Sequence, residues 1–171
     1  RDLRNDMIFT IDSEKTKDND DAISLVKLEN GNYELGVHIA DVSHYVKEGS
    51  ALYNEAMDRG TSVYLADRVI PMLPHQLSNG ICSLNPNVDR LALSCVMEID
   101  KSGKILSSDI FESVICSKKK MTYTDVNKII EEGIVPEGYE AFESTLLEMK
   151  ELASILRKYK EKRGYIDFQI D

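Results

Sequence analysis

Two apolar segments on either side of an Asn-Gly pair constrain the fold of this chain more than any other feature of its sequence. The segments are Ala22–Val26 and Tyr33–Ala40, and the pair between them is Asn30-Gly31. Asn-Gly is one of the strongest short-range signals for a β-hairpin turn. The sequence therefore predicts a hairpin that brings the residues before its first strand back towards Ala40.

Four further segments have the pattern of strands. Met7–Ile11 is a short apolar run that ends at an aspartate. Leu91–Ile99 and Ile105–Val114 form a second predicted hairpin around Lys101-Ser102-Gly103-Lys104. Tyr165–Ile170 is a last predicted strand, whereas the other strand signals lie in the first two thirds of the chain.

Helical signals are strongest in the last third of the chain. Tyr139–Arg163 is the longest helical segment, with apolar residues at three- and four-residue steps that favour core packing. A shorter helix is predicted from an N-cap at Thr124 to about Glu132, and another over Ala51–Arg59. Residues 66–90 contain three prolines and are predicted to be irregular.

Net charge and cysteine content restrict the function classes. The 171 residues include 21 basic and 30 acidic side chains, for a net charge of -9. This balance argues against binding of nucleic acid by bulk electrostatics, but it leaves local binding, or binding through metal ions or attached domains, open. The three cysteines have neither zinc-type nor Cys-x-x-Cys spacing, which favours free thiols in a reducing cytosol.

No segment of the sequence has the features of a membrane anchor or a secretion signal. No apolar run approaches the roughly 20 residues that span a bilayer, and the first six residues include four charged side chains. We therefore expect no membrane partner and a cytoplasmic location.

Four aspartates lie between the first two predicted strands and are the strongest chemical signal. Asp12, Asp18, Asp20 and Asp21 form the pattern D-x5-D-x-D-D. Carboxylates this close repel one another unless cations lie among them or the loop extends into water. Oxygen ligands favour Mg²⁺ or Mn²⁺, and two such ions support phosphodiester hydrolysis. If residues 18–21 are extended, Asp18 and Asp20 share a face and Asp21 points away.

The four aspartates allow two other interpretations. A calcium-binding EF-hand that begins at Asp18 requires glycine at its sixth position, where this chain has Ile23, and helices where this chain has strands. The EF-hand is therefore rejected. A solvated acidic turn without a ligand remains open on the pattern alone.

Several motifs, in order along the chain, resemble the catalytic RNB domain of the ribonuclease II/ribonuclease R family, with the likeness nearest to the ribonuclease R branch. They are Asp2-Leu3-Arg4, Phe9-Thr10-Ile11-Asp12, Lys17-Asp18-Asn19-Asp20-Asp21-Ala22, Val37-His38-Ile39-Ala40-Asp41-Val42-Ser43, and the segment from Ile70-Pro71-Met72-Leu73-Pro74 to Leu84-Asn85-Pro86. The resemblance implies an α+β fold with a mixed, largely antiparallel β-sheet and packed helices. It also implies that residues 1–171 are the N-terminal portion of a single catalytic domain.

The resemblance implies a Mg²⁺-dependent, processive 3′→5′ exoribonuclease that hydrolyses single-stranded RNA to nucleoside 5′-monophosphates by metal-activated water. The family's four catalytic and metal-binding aspartates correspond to Asp12, Asp18, Asp20 and Asp21, of which we expect Asp20 to be indispensable. The family's remaining site residues, a downstream arginine and glutamate, and its cold-shock and S1-type RNA-binding domains have no counterpart in these 171 residues. We therefore expect the isolated chain to be inactive or very weak.

Three aromatic residues match family positions that handle RNA. Tyr64 resembles the residue that packs against the 3′-terminal nucleotides, Tyr123 resembles an aromatic further out, and Phe168 corresponds to another base-stacking position. From the residues alone, each tyrosine is interpreted as a half-buried core residue. Lys118-Lys119-Lys120 is interpreted either as a phosphate contact or, more simply, as a solvated strand end.

A function from a different class remains as the alternative. The same aspartates and aromatics are compatible with a non-catalytic, metal-stabilised module that binds RNA without hydrolysis. Only the nuclease predicts release of mononucleotides from the 3′ end of RNA.

Overall fold

The chain folds around one large β-sheet with helices packed against it. A computed structural model describes residues 1–165. The strands are β1 (Phe9–Asp12), β2 (Asp21–Lys27), β3 (Tyr33–Ala40), β4 (Val63–Tyr64), β5 (Val69–Ile70), β6 (Asp89–Ile99), β7 (Ile105–Cys116) and β8 (Lys119–Thr122). The α-helices are α1 (Val42–Tyr45), α2 (Ala51–Arg59), α3 (Tyr123–Asn127) and α4 (Glu143–Lys162). The α-helices are supplemented by π-helical turns at Gln76–Ile81 and Lys128–Glu132 and by a 3-10 turn at Glu140–Phe142.

The large sheet has six strands in the order β7-β6-β3-β2-β1-β8. Every neighbouring pair is antiparallel except β1 and β8, which run parallel. The expected mixed, largely antiparallel sheet of an α+β fold is confirmed. Strands β4 and β5 form a separate small hairpin.

The Asn-Gly turn closes the predicted hairpin. Strands β2 and β3 pair from Asp21 opposite Ile39 to Lys27 opposite Tyr33. Gly31 adopts a φ of 81°, and its N–H donates to the Leu28 carbonyl at 2.8 Å. A residue with a Cβ atom would be strained at that φ angle, so the glycine is what permits the tight return.

Apolar side chains cover both faces of the sheet. On one face, α4 contributes Leu146 and Leu152 to clusters that also contain Phe9 and Tyr33. On the other face, small residues of the central strands pack against Leu84 and Ile115. The apolar positions of α4 thus have the core role that their spacing predicts, and none of the helices within residues 1–165 is long and apolar enough to cross a membrane.

Three predicted element boundaries are corrected by the structure. The helix predicted from a cap at Thr124 is capped instead by the side chain of Thr122, which accepts from the Asp125 N–H, and it continues as a π-helical turn to Glu132. The long helix begins at Glu143, because a separate 3-10 turn precedes it. Residues 66–90 are not entirely irregular, since they contain β5 and the turn Gln76–Ile81. The strand predicted at 165–170 lies outside the described residues, apart from Tyr165.

Candidate active site

The four aspartates lie around one loop at the end of the large sheet. Asp12 is the last residue of β1 and Asp21 is the first of β2. The segment between them, residues 13–20, is called the aspartate loop below, and it contains Asp18 and Asp20. The Ala40 N–H donates to the Asp20 carbonyl at 2.9 Å, so the end of β3 holds the loop where the sequence predicts it.

The carboxylates are close enough to perturb one another. Partial burial raises the pKa of Asp12 above its usual range, and the charges of Asp21 and Asp18 raise it further, while Lys120 opposes the shift. Burial also raises the pKa of Asp20, and the charges of Asp18, Asp21 and Asp12 raise it further. A site that resists deprotonation in this way favours a cation among its carboxylates.

The four aspartates lie near one another, but their side chains do not form a complete metal site. Within residues 1–165, no group of three or more His, Cys, Asp or Glu side chains is arranged to hold a metal ion. The chemistry of the donors nevertheless fits a hard divalent cation, since all four are carboxylates and two of them have raised pKa values. The side chains would have to approach one another when a cation binds.

A cavity of about 1220 Å³ extends from the aspartate loop to the β4–β5 hairpin. Asp18 and Asp20 both line it, whereas Asp12 and Asp21 do not. Asp18 and Asp20 therefore lie on the cavity side, as the alternation of side chains along an extended segment predicts. Tyr64 lines the same cavity.

Tyr64 is an exposed residue and does not belong to the core. It is the second residue of β4, 73% of its surface is accessible, and it lines the same cavity as the two aspartates. The interpretation of Tyr64 as a half-buried core tyrosine is wrong. An exposed aromatic face beside a carboxylate cavity is available for stacking against a base.

Tyr123 is also exposed, but it lies at a different place. Its surface is 62% accessible, and it lines a separate depression formed by residues of α3 and the following turn. The interpretation of Tyr123 as a core residue is therefore wrong as well. Phe168 lies outside the described residues.

The three consecutive lysines contact the protein itself. The Lys118 ammonium donates to the Arg4 carbonyl, and the Lys120 ammonium donates to the Thr16 carbonyl in the aspartate loop. Lys119 lies over the ring of Tyr139, with its Nζ 4.3 Å from the centroid. All three side chains are partly buried, so the solvated strand end is not what the structure shows.

Sequence reasoning assigned no role to two residues at this site. Arg68 lines the same cavity as Asp18 and Asp20 and supplies a cation. Ser83 lies buried beneath the aspartate loop. The only signal for these residues was their position within or next to the proline-rich segment, where spacing alone does not indicate which side chains face the loop.

Comparison with known proteins agrees with this architecture. The family model described as the RNB domain matches residues 1–171. Ribonuclease R of Thermotoga maritima is 58% identical to this chain over 166 residues, which are 97% of the chain and 23% of the relative. The chain thus spans less than a quarter of the length of that relative.

Two solved structures are similar throughout the chain. They are Mycoplasma genitalium RNase R in complex with double-stranded RNA and the same protein in complex with ribose-methylated single-stranded RNA. Each superposes with a TM-score of 0.91 at 35% identity and covers 98% of this chain. The match extends over 30% and 26% of those two chains, respectively.

Proposed function

Because this chain belongs to the RNB domain family, we propose that it is the N-terminal part of the catalytic domain of a longer 3′→5′ exoribonuclease. The substrate is single-stranded RNA, and the products are nucleoside 5′-monophosphates. The relatives and structures that it matches are three or more times as long as the chain, which supports a longer protein with further domains, including RNA-binding ones. The reducing environment favoured by its free cysteines supports a cytoplasmic location.

One observation carries the proposal: Asp18, Asp20 and Tyr64 line the same cavity. An exonuclease must hold the last nucleotides of a strand beside the groups that promote cleavage. The exposed ring of Tyr64 offers a stacking surface that accepts any base, which suits an enzyme that degrades RNA of any sequence. By fixing the terminal nucleotides, the ring would orient the scissile phosphate towards the carboxylates.

Asp12, Asp18, Asp20 and Asp21 are the proposed residues for holding Mg²⁺, directly or through water. A divalent cation at such a site supplies charge that favours deprotonation of water and stabilises the phosphate oxygens during hydrolysis. The protein's own contribution is to collect negative charge at the end of the sheet, where burial and then the neighbouring carboxylates raise the pKa values of Asp12 and Asp20. Mn²⁺ has the same ligand preference and is expected to substitute.

The proposal is tested with the full-length protein, 5′-labelled single-stranded RNA and Mg²⁺. Asp20→Asn keeps the size of the side chain and removes its charge, so we expect loss of mononucleotide release with retained RNA binding. Asp58→Asn is the matched control, because it makes the same change on the exposed surface of α2. Normal turnover by Asp20→Asn would contradict the assigned role of Asp20, and RNA binding without cleavage by the wild type would favour the non-catalytic module.

A further inference from the structure

A small group of buried polar side chains lies directly beneath the aspartate loop. Asn19 and Ser83 are 1% and 0% exposed, and Asn85 lies beside them. The Asn19 amide nitrogen donates to Ser83 Oγ and to Asn85 Oδ1, both at 3.3 Å. Burial of polar groups is costly unless they are paired, and the hydrogen bonds of such a cluster fix the conformation of the segments that they join.

Ser83 contacts the backbone on both sides of Asp18. Its hydroxyl accepts from the Asn19 N–H at 3.0 Å and donates to the Lys17 carbonyl at 3.1 Å. These two groups belong to the peptide units that precede and follow Asp18. A single buried oxygen therefore restrains both peptide planes that orient this aspartate.

Asp20 is restrained in the same manner by backbone donors. The Leu84 N–H donates to the Asn19 carbonyl at 2.8 Å, and the Ala40 N–H donates to the Asp20 carbonyl at 2.9 Å. Four consecutive peptide units, from Lys17 to Asp21, are thus held by groups from outside the loop. With the Asn19 side chain pointing into the protein, Asp18 and Asp20 are left on the cavity wall.

The segment that carries Ser83 is itself anchored to the large sheet. Arg90, in β6, donates from Nε to the Ser83 carbonyl at 2.9 Å and from Nη2 to the Gly80 carbonyl at 3.2 Å. The Asn85 amide donates to the Asn79 carbonyl at 3.2 Å, which ties the segment to the π-helical turn. The aspartate loop is therefore attached to the large sheet through Ser83 as well as through β1 and β2.

We propose that Ser83 is a positioning residue for the candidate metal site, because its hydroxyl fixes the backbone on both sides of Asp18 and so sets the separation of the Asp18 and Asp20 carboxylates. This inference rests on the proposed function, in which these two aspartates hold a divalent cation. Residues that orient the ligands of a metal without contacting the metal typically change metal affinity by 10- to 100-fold when they are removed.

The experiment uses the full-length protein and two readouts: direct Mn²⁺ binding by calorimetry, and the Mg²⁺ concentration that gives half-maximal RNA cleavage. For Ser83→Ala we expect Mn²⁺ binding to weaken by at least ten-fold. The half-maximal Mg²⁺ concentration should rise by a similar factor, while KM for RNA stays within about two-fold and kcat recovers at high Mg²⁺. A merely structural role would lower the melting temperature without this selective shift in metal dependence.

Ser113→Ala is the matched control. It removes another buried hydroxyl, which pairs with Ser94 Oγ at 2.7 Å and with the Ala92 carbonyl at 3.2 Å and makes no hydrogen bond to the aspartate loop. Mn²⁺ affinity of this variant should stay within two-fold of the wild type. Asn19→Ala leaves the two hydrogen bonds from Ser83 to the backbone in place. It should therefore lose less Mn²⁺ affinity than Ser83→Ala.

The outcomes separate the inference from the function on which it rests. Equal Mn²⁺ affinity in Ser83→Ala and Ser113→Ala, or an equal loss in Asn19→Ala and Ser83→Ala, would overturn the role of the Ser83 hydroxyl while leaving the nuclease in place. A wild type that neither binds Mn²⁺ nor cleaves RNA would overturn both. If Ser83→Ala does not fold, Ser83→Cys preserves the packing and weakens both bonds, and the same criteria apply to it.

Discussion

Among single residues, Tyr64 gives the most direct test of how the cavity handles the end of an RNA strand. Its side chain is exposed and lines the same cavity as two aspartates. Stacking on an aromatic ring contributes about 1–3 kcal/mol per base, so its loss should release short products early. We expect Tyr64→Ala to lengthen the limit product of 5′-labelled RNA by one or more nucleotides on a denaturing gel.

Two variants control for the loss of an aromatic residue. Tyr64→Phe retains the ring and should retain the wild-type limit product. Tyr123→Ala removes another exposed ring, which lies outside the cavity, and should leave the length of the limit product unchanged. An unchanged final fragment in Tyr64→Ala would remove this tyrosine from the terminal site.

His38 gives a prediction about stability and pH. It is 1% exposed and lies between two serines, with Nδ1 2.7 Å from Ser94 Oγ and Nε2 3.1 Å from Ser24 Oγ. Burial lowers its pKa from 6.5 to about 4, so the folded state keeps the ring neutral over a range in which the unfolded state takes up a proton. The contribution of His38 to stability is therefore present above pH 6.5 and decreases as the pH falls towards 4, by up to about 3 kcal/mol.

Urea denaturation of the folded domain between pH 7 and pH 4.5 measures this effect. The free energy of unfolding should fall more steeply with decreasing pH in the wild type than in His38→Gln, which has no ring to protonate. Asp12 and Asp20, whose pKa values are raised, act in the opposite direction, but they are common to both proteins and cancel in the difference. Parallel pH profiles for the two proteins would contradict a neutral, buried His38.

Among the elements, helix α4 is held to the sheet by one face, and its leucines show which face that is. Leu152 is 3% exposed and packs with Leu25 and Tyr33, whereas Leu147 is 45% exposed. Leu152→Ala should lower the free energy of unfolding by about 2–5 kcal/mol, because it leaves a cavity in the core. Leu147→Ala makes the same change on the solvent side and should cost less than 1 kcal/mol in the same urea titration, so equal losses would show that the helix packs by a different face.

Elements with local signals could be predicted from the sequence. The hairpin strand Tyr33–Ala40 and the helix Ala51–Arg59 have the predicted bounds, because a glycine turn, a serine N-cap and a terminal glycine specify them locally. The π-helical turn Gln76–Ile81 could not be predicted in this way. A proline precedes it, a glycine lies inside it, and contacts from Asn85 and Arg90 to its carbonyls stabilise it.

The same distinction applies to the candidate site. The position of the aspartates between β1 and β2 follows from the strand pattern, and the structure places them as that pattern predicts. The cavity itself depends on the β4–β5 hairpin and on residues 71–82, which approach the loop only in the folded chain. Arg68 belongs to this second group and Ser83 directly follows it, and neither has a sequence signal of its own that links it to the aspartates.

For the whole molecule, the net charge of -9 opposes the binding of a polyanion. Basic side chains do face the cavity, among them Lys15, Lys17 and Arg68, and they provide local positive charge next to the aspartates. Other basic residues are engaged within the protein, as Lys118 and Lys120 are by backbone carbonyls. Under the proposed function, most of the charge that retains RNA would come from bound cations and from other parts of a longer protein.

The family resemblance leads to a prediction about the isolated chain. We expect residues 1–171 alone to release mononucleotides at least 100-fold more slowly than the full-length protein at equal Mg²⁺, because the chain has the proposed aspartates but lacks the remaining site residues that the family resemblance implies. The measurement compares both proteins on the same 5′-labelled RNA after circular dichroism has shown that the chain is folded. Asp20→Asn in the full-length protein sets the background rate. Turnover by the isolated chain close to that of the full-length protein would show that the aspartates and their cavity are sufficient for catalysis, and that the rest of the protein serves only to bind RNA.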